Sequence, residues 1–384
     1  MIWESLQSDL DALAAEGLQR RRRVLDSPCG TECIVDGTAL VSFCSNDYLG
    51  FANHPQLVAA AQKGAARWGV GSGASHLVSG HLRPHAEAES ALAAFVGFPD
   101  ALTLSTGYMA NLAIVPTLVG RGDAVFADKL NHASLIDAVQ LSRAESHRYG
   151  HGDLDSLSAL LASSKARRKL ILTDAVFSMD GDMAALPRLF ELAERHDAWL
   201  VIDDAHGFGV LGKGGRGTLS HFGMPAHPRI VLMGTLGKAA GVAGAFIAAA
   251  PQVIEWLVAR ARSYIFTTAA SPALAAAISR SLVLIEAADT ERATLCRHIE
   301  HLRSVIAGTR WRLLHSDTAI QPLIVGDNRE TTDLAAALLA RGLWVPAIRP
   351  PTVPKGSARL RISLSAAHTE AHLDRLCGAL RELA

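Results

Sequence analysis

Two residues of opposite chemistry follow neighbouring apolar runs in this 384-residue chain. Leu200-Val201-Ile202 leads into Asp203-Asp204-Ala205-His206, and Ile230-Val231-Leu232-Met233 leads into Gly234-Thr235-Leu236-Gly237-Lys238. Ligands of open α/β sheets gather at the carboxyl ends of strands, where both groups would emerge. An Asp there, taken alone, is more simply a helix cap or an ion-pair partner, and a Lys is usually a solvated charge. Lys238, however, is followed by Ala239-Ala240-Gly241-Val242-Ala243, small apolar neighbours that give it little reason to face water. Desolvation lowers the pKa of such an amine, as Schiff-base chemistry requires.

An Asp and a Lys sharing one cleft match the needs of pyridoxal 5′-phosphate (PLP). The amine attaches the cofactor, and the carboxylate keeps the pyridine nitrogen protonated so that the ring accepts carbanion electrons. Opposite charges about 4 Å apart at an effective dielectric near 20 attract by roughly 4 kcal/mol. That is about three pKa units before desolvation is subtracted, enough to hold a pyridinium at neutral pH. A phosphate cradle is available at Ser105-Thr106-Gly107-Tyr108, which opens the apolar helix expected over 108–118 with free N–H groups and a favourable dipole. An ordinary N-cap explains the same residues equally well on local grounds. His132, in Asn131-His132-Ala133-Ser134, is a candidate to stack on the ring.

Two nucleotide-binding patterns fail. Gly207-Phe208-Gly209-Val210-Leu211-Gly212 fits the dinucleotide fingerprint, but it continues Lys213-Gly214-Gly215-Arg216-Gly217, which cannot start a helix, and no acid occurs between Asp204 and Glu255. Gly237-Lys238 lacks the first glycine of a P-loop, because position 232 is Leu, and Ala239 stands where Ser or Thr is needed. Cys29, Cys33, Cys44, Cys296 and Cys377 include only one close pair, so no metal site is expected and reduced, mostly buried thiols are.

The elements that must position these groups read as α/β. Strand-length apolar runs (101–104, 124–126, 169–172, 199–202, 230–233, 245–249) alternate with helical periodicity over 55–68, 84–95, 108–118 and 186–196. After Pro272 a long helical stretch to about Ile306 is expected, then strands at 320–325 and 359–364 with helices near 332–340 and at the terminus. The division expected is an N-terminal helical and strand segment (1–45), a large α/β domain with a mostly parallel sheet (46–280) and a smaller C-terminal α+β domain (281–384). With 37 basic and 37 acidic residues there is no electrostatic case for nucleic acid or an anionic membrane. No apolar stretch reaches the roughly 20 residues that cross a bilayer. The first ten residues lack the basic start and apolar core of a secretory signal, so a cytoplasmic protein is expected.

With these residues assembled, the chain resembles the α-oxoamine synthase family from about Gly17 to its end. The resemblance is carried by Phe43-Cys-Ser-Asn46-Asp-Tyr-Leu-Gly50, the glycine-rich 71–80 segment, Phe177-Ser178-Met-Asp-Gly-Asp182, Asp203-Asp-Ala-His206, Thr235-Leu-Gly-Lys238, Ala319-Ile-Gln-Pro-Leu-Ile-Val-Gly-Asp-Asn328 and Ile348-Arg-Pro-Pro-Thr352-Val-Pro354. It implies the aspartate aminotransferase-like (type I) PLP fold and PLP as cofactor. It also implies an acyltransferase that condenses an amino acid with an acyl thioester and loses CO2. The last two segments point to the branch that uses L-alanine and a pimeloyl thioester, carried by CoA or acyl carrier protein, in biotin biosynthesis. Glycine C-acetyltransferase or 5-aminolevulinate synthase activity is the alternative, because one methyl in a pocket separates them. A non-catalytic scaffold with the same fold is disfavoured by Lys238 and His132.

Residue by residue, the resemblance makes Lys238 the lysine attached to PLP, Asp203 the pyridinium partner, His206 a donor to the ring hydroxyl and His132 the stacking ring. Ser178 and Thr235 would hold cofactor oxygens, and Gly107 and Tyr108 the phosphate through their backbone. It implies a homodimer whose site lies at the interface, so that Thr267 and Thr268 reach the phosphate of the other subunit's cofactor. Asn46 and Arg361 would grip the amino-acid carboxylate, an Arg fork suiting bidentate binding. Thr352 would contact the acyl substrate, as would Arg20 from the Arg20-Arg21-Arg22-Arg23 run, although such a run is usually a solvated face.

Overall fold

The computed structural model describes residues 2–15 and 22–384; Arg20 lies outside the described residues. Its centre is a seven-stranded sheet in the order Asp100–Leu104, Ala245–Ala249, Ile230–Thr235, Ala198–Asp203, Lys169–Asp174, Ala124–Asp128, Glu145–Tyr149. Ala245–Ala249 runs antiparallel to both neighbours, and every other pairing is parallel. Alternate side chains of one strand enter different cores. Leu200 and Ile202 join Leu92, Leu186 and Leu189 on one face, whereas Val201 joins Ile114 and Leu135 on the other. Helices cover both faces, which is why the inner strands are apolar without alternation. Each large aliphatic side chain buried this way contributes about 1.5–3 kcal/mol.

The smaller C-terminal unit is an antiparallel sheet, in the order Arg312–Leu313, Ile320–Gly326, Ala358–Ser363, Ala347–Ile348, with helices Asn328–Ala340 and Glu370–Glu382. The N-terminal hairpin Glu32–Val35 and Thr38–Ser42 adds to this half of the chain, Val41 and Ser42 pairing in parallel with Leu343 and Trp344. The stretch expected as one helix from Pro272 to Ile306 is two, Pro272–Ala287 and Asp289–Ile306. The break at Ala288 is stabilised from both sides. Arg292 donates to the carbonyl of Ile285 (2.7 Å) at the first helix's end. Asp289 and Glu291 begin the second, where acids favour the positive end of the helix. The thiols also differ from expectation, since only Cys33 and Cys377 are buried while Cys29 and Cys296 are exposed. No helix among the described residues is long and apolar enough to cross a membrane.

The turn carrying Ser178 is clamped between the two units. Arg359 pairs with Asp180, and Arg361 Nε donates to the carbonyl of Ser178 (2.6 Å). On the other side His151 bridges Asp182 (2.8 Å) and Asp128 (3.1 Å). Hydrogen bonds to these two carboxylates raise the His151 pKa to about 10. A raised folded pKa stabilises fully below the ordinary value of 6.5, and the contribution is lost as pH rises through about 10. His151→Gln is therefore expected to cost roughly 2 kcal/mol at pH 6, discounted for partial solvent screening, and much less at pH 10.5. Urea unfolding at both pH values checks this; an equal deficit at both would mean that the charge plays no part.

Candidate active site

Four adjacent parallel strands end in polar residues at one edge of the sheet: Thr235, Asp203, Asp174 and Asp128. Asp174 and Asp203 lie directly opposite each other in the register. Burial, reinforced by the charge of Asp203, pushes the Asp174 carboxyl well above the usual range, so that one of the two neighbours carries the charge. Asp203 is 4% exposed. It accepts hydrogen bonds from the Ala205 N–H (3.0 Å) and Asn111 Nδ2 (2.8 Å), and the Lys238 amine lies within electrostatic reach of it. Asp204 faces elsewhere. It accepts from the N–H of Thr218 (2.8 Å) and from that residue's hydroxyl, and burial raises its pKa to about 7. A Cβ at Gly207 or Gly217 would overlap an Asp204 oxygen. The first of the dinucleotide-like glycines is thus explained by a loop wrapped around a structural carboxyl, whereas Gly209 packs against Ala239 and Gly212 against Gly217 and Ser220.

Lys238 reaches the same edge from the loop after Ile230–Thr235. Its Nζ lies 2.8 Å from His206 Nε2. Burial lowers the amine to about 8, the attraction of Asp203 partly opposing. A line of hydrogen bonds continues from there. His206 Nδ1 meets Tyr48 Oη at 2.7 Å, and Tyr48 Oη meets Asn46 Oδ1 at 3.1 Å. Arg361 donates to Asn46 Oδ1 through both terminal nitrogens (3.3 Å). Asn46 Oδ1 only accepts, so Tyr48 donates to it and takes the Nδ1–H of His206. Burial and the nearby Lys238 charge depress the His206 pKa, and the neutral ring's Nε2 lone pair faces Lys238.

His132 caps the helix Ala133–Ser142, its N–H donating to Asp174 Oδ2 (2.7 Å). Burial lowers its pKa. The helix Gly107–Leu118 begins beside Thr235. Thr106 Oγ1 accepts from the Met109 N–H (3.1 Å), and a Cβ at Gly107 would stand 3.9 Å from Thr235 Oγ1. Thr235 Oγ1 itself donates to the Gly244 carbonyl (3.2 Å). The Tyr108 hydroxyl bends away to Asp137 and leaves the helix's first N–H groups to the cleft. The chain thus brings together Lys238, Asp203, His206, His132, Gly107, Tyr108, Thr235, Asn46 and Arg361, with Ser178 held through its carbonyl. Thr352 occupies an exposed turn, and Thr267 and Thr268 follow the helix Arg262–Ile265 near the surface. Among the described residues, no hydrogen bond joins these three to the Lys238–Asp203 group.

His76 and His81 pack rather than face this edge. Their Nδ1 atoms are 2.8 Å apart, and His76 stacks on Tyr264 at 4.8 Å. His85 beside them bonds the Ala270 carbonyl (2.8 Å), which anchors the segment carrying Thr267 and Thr268. Sequence reasoning missed Asn111, Ser134, Asp174 and Tyr48. The one available signal was position: Asn111 is the lone amide in an otherwise apolar helix, and Asp174 ends an apolar strand as Asp203 does.

The residues present fit PLP: a buried carboxylate, a lysine with a lowered pKa, a capping imidazole and a helix N-terminus converge on one cleft. Among the described residues, no cluster of His, Cys, Asp and Glu has the arrangement of a metal site. Comparison with known proteins agrees with this chemistry. The family model "Aminotransferase class I and II" matches residues 38–380. The 8-amino-7-oxononanoate synthase of Herminiimonas arsenicoxydans is 64% identical over 385 residues, covering 99% of each chain. A serine palmitoyltransferase (SPT) solved with PLP as internal aldimine superposes with a TM-score of 0.93 at 30% identity, covering 99% of this chain and 97% of that one. The 8-amino-7-oxononanoate synthase from Francisella tularensis gives 0.78 at 30% identity, covering 90% and 96%. Fold, site and sequence lead to one assignment: the chain belongs to the class I and II aminotransferase family and, within it, to the 8-amino-7-oxononanoate synthases.

Proposed function

We propose that this enzyme condenses L-alanine with a pimeloyl thioester, releasing CO2 and the carrier thiol and forming 8-amino-7-oxononanoate for biotin biosynthesis. It is an acyltransferase with PLP as cofactor, and it works as a cytoplasmic homodimer. The observation that carries this reading is the buried Asp203 within electrostatic reach of a lysine whose pKa is about 8. When bound, PLP supplies the electron sink for the carbanion at the alanine Cα. The chain's own groups do the rest. Lys238 would hold the cofactor, and its amine would take and return the proton at the alanine Cα; an amine near pKa 8 is matched to that task at neutral pH. Asp203 would keep a pyridine nitrogen protonated, and His132 would stack on the ring.

Arg361 grips the alanine carboxylate through its guanidinium, held in place by Asn46 and by the Ser178 carbonyl. The N–H groups of Gly107 and Tyr108 with the Thr235 hydroxyl take the phosphate, joined by Thr267 and Thr268 of the partner subunit. The Ser178 side chain and His206 complete the ring's polar contacts, and Thr352 and Arg20 meet the acyl substrate. The test is the mass of the product formed from alanine, glycine or serine with pimeloyl-CoA or pimeloyl-acyl carrier protein. The expected product is 8-amino-7-oxononanoate from alanine. A preference for glycine with a short acyl thioester would overturn the substrate assignment.

A further inference from the structure

We propose that Asn111 and Ser134 are positioning residues that hold His132 as a neutral imidazole with its proton on Nε2. An ionised Asp203 only accepts, so the Asn111 atom 2.8 Å from its Oδ2 is the amide nitrogen. The same nitrogen lies 2.8 Å from Ser134 Oγ and donates its second hydrogen there. Ser134 is 1% exposed, and a buried hydroxyl that accepts one bond still has a proton to place. The acceptor within reach is His132 Nδ1, at 2.7 Å. The backbone N–H of Ser134 converges on that atom too, at 3.3 Å. Two donors meet at Nδ1. It therefore carries the lone pair, and the ring's single proton sits on Nε2.

Asn111 supplies an independent sign of this order. Its Oδ1 is buried with no hydrogen-bond partner among the described residues. A reversed amide would satisfy neither end better, because it would set an oxygen against the Asp203 carboxylate. The side chain therefore tolerates an unsatisfied carbonyl in exchange for a fixed direction. The relay joins the two groups that the cofactor reading places on the ring. Asp203 favours a protonated pyridine nitrogen, and an imidazolium at His132 would oppose it with a like charge. Asp203 and Asp137 attract a proton toward His132, while burial and Lys238 oppose it. Asp174 faces its backbone N–H, and His206 lies close enough to feel its charge. The purpose of the relay rests on the PLP reading; the tautomer is a property of the chain itself.

The test is 15N NMR of histidine-labelled protein, with and without PLP, from pH 5 to 9. The His132 signal is assigned by its loss in His132→Asn. Wild type should show the Nε2–H tautomer at neutral pH in both forms. Ser134→Ala removes the donor to Nδ1 and should raise the His132 titration midpoint by about one pH unit. Ser134→Thr keeps the hydroxyl and should restore the wild-type midpoint. Asn111→Ala leaves the hydroxyl free to turn away and should move the midpoint in the same direction as Ser134→Ala. A wild-type Nδ1–H tautomer, or an unmoved midpoint in Ser134→Ala, overturns the proposal. Should Ser134→Ala fail to fold, the wild-type tautomer and Ser134→Thr still decide. Failure to take up PLP would sink the proposed function and leave the tautomer measurable in the apo protein.

Discussion

Lys238→Ala is expected to lower turnover by at least about 10⁴-fold, since one change removes both the covalent anchor of the cofactor and the base at Cα. The purified variant should lack the visible absorbance that attachment of PLP to the lysine gives. It should also fold, because the amine's one hydrogen bond to protein runs to His206, among the described residues. A variant that keeps both colour and turnover would remove Lys238 from the chemistry. Stability should move the other way. Burial lowers the amine from 10.5 to about 8, so folding works against its protonation. That cost is full below about pH 8 and vanishes above 10.5. Apo Lys238→Met, which fills the space without a charge, should therefore be more stable than apo wild type by roughly 2 kcal/mol at pH 7, the gap closing toward pH 10.5 in urea titrations. The lysine is kept for function against its own contribution to stability.

What could be read without coordinates follows from where each residue sits. Ala198–Asp203 and Ile230–Thr235 were legible because both faces are covered, which forces an uninterrupted apolar run, and the polar residue ending such a run marks the ligand edge. Glu145–Tyr149 was not, because it is the edge strand and its Glu, Ser, His and Arg face water or the rim. The hairpin Glu32–Val35 and Thr38–Ser42 falls inside the helical and strand segment expected over 1–45, but its bounds and pairing were not legible for a different reason. Its partner Leu343–Trp344 lies some three hundred residues away and is too short for a pattern of its own. Periodicity also could not choose between Asp203 and Asp204. Neighbouring residues leaving a strand face opposite ways, and only the Thr218 bonds show that Asp204 is turned inward. Asn111 and Ser134 are buried polar residues inside helices. Nothing local separates them from satisfied core polars until Asp203 and His132 are seen in contact with them.

Asp203→Asn tests the other half of the pair, and its loss should appear in kcat rather than in cofactor binding. The phosphate end, the lysine and the covering imidazole are untouched, so the variant should take up PLP and show its visible band. Asn keeps the shape, but its single amide oxygen can accept from only one of the two donors, the Ala205 N–H on Oδ1 or Asn111 Nδ2 on Oδ2. The charge disappears together with one of these bonds. A full charge pair about 4 Å apart supplies roughly 4 kcal/mol at an effective dielectric near 20. If most of that stabilises the protonated pyridine nitrogen while the carbanion forms, kcat should fall by about 10³-fold. Asp174 sets a limit on the effect. Its carboxyl is held high by burial and by the Asp203 charge, and it lies opposite Asp203 in the sheet register. Removing that charge lets Asp174 ionise more readily, although its Oδ2 is engaged by the His132 N–H rather than aimed as Asp203 is. Asp203→Asn with Asp174→Asn should therefore lose more activity than Asp203→Asn alone. Steady-state kinetics on both variants decide, and near-wild-type turnover in Asp203→Asn would show that the electron sink does not depend on this carboxylate.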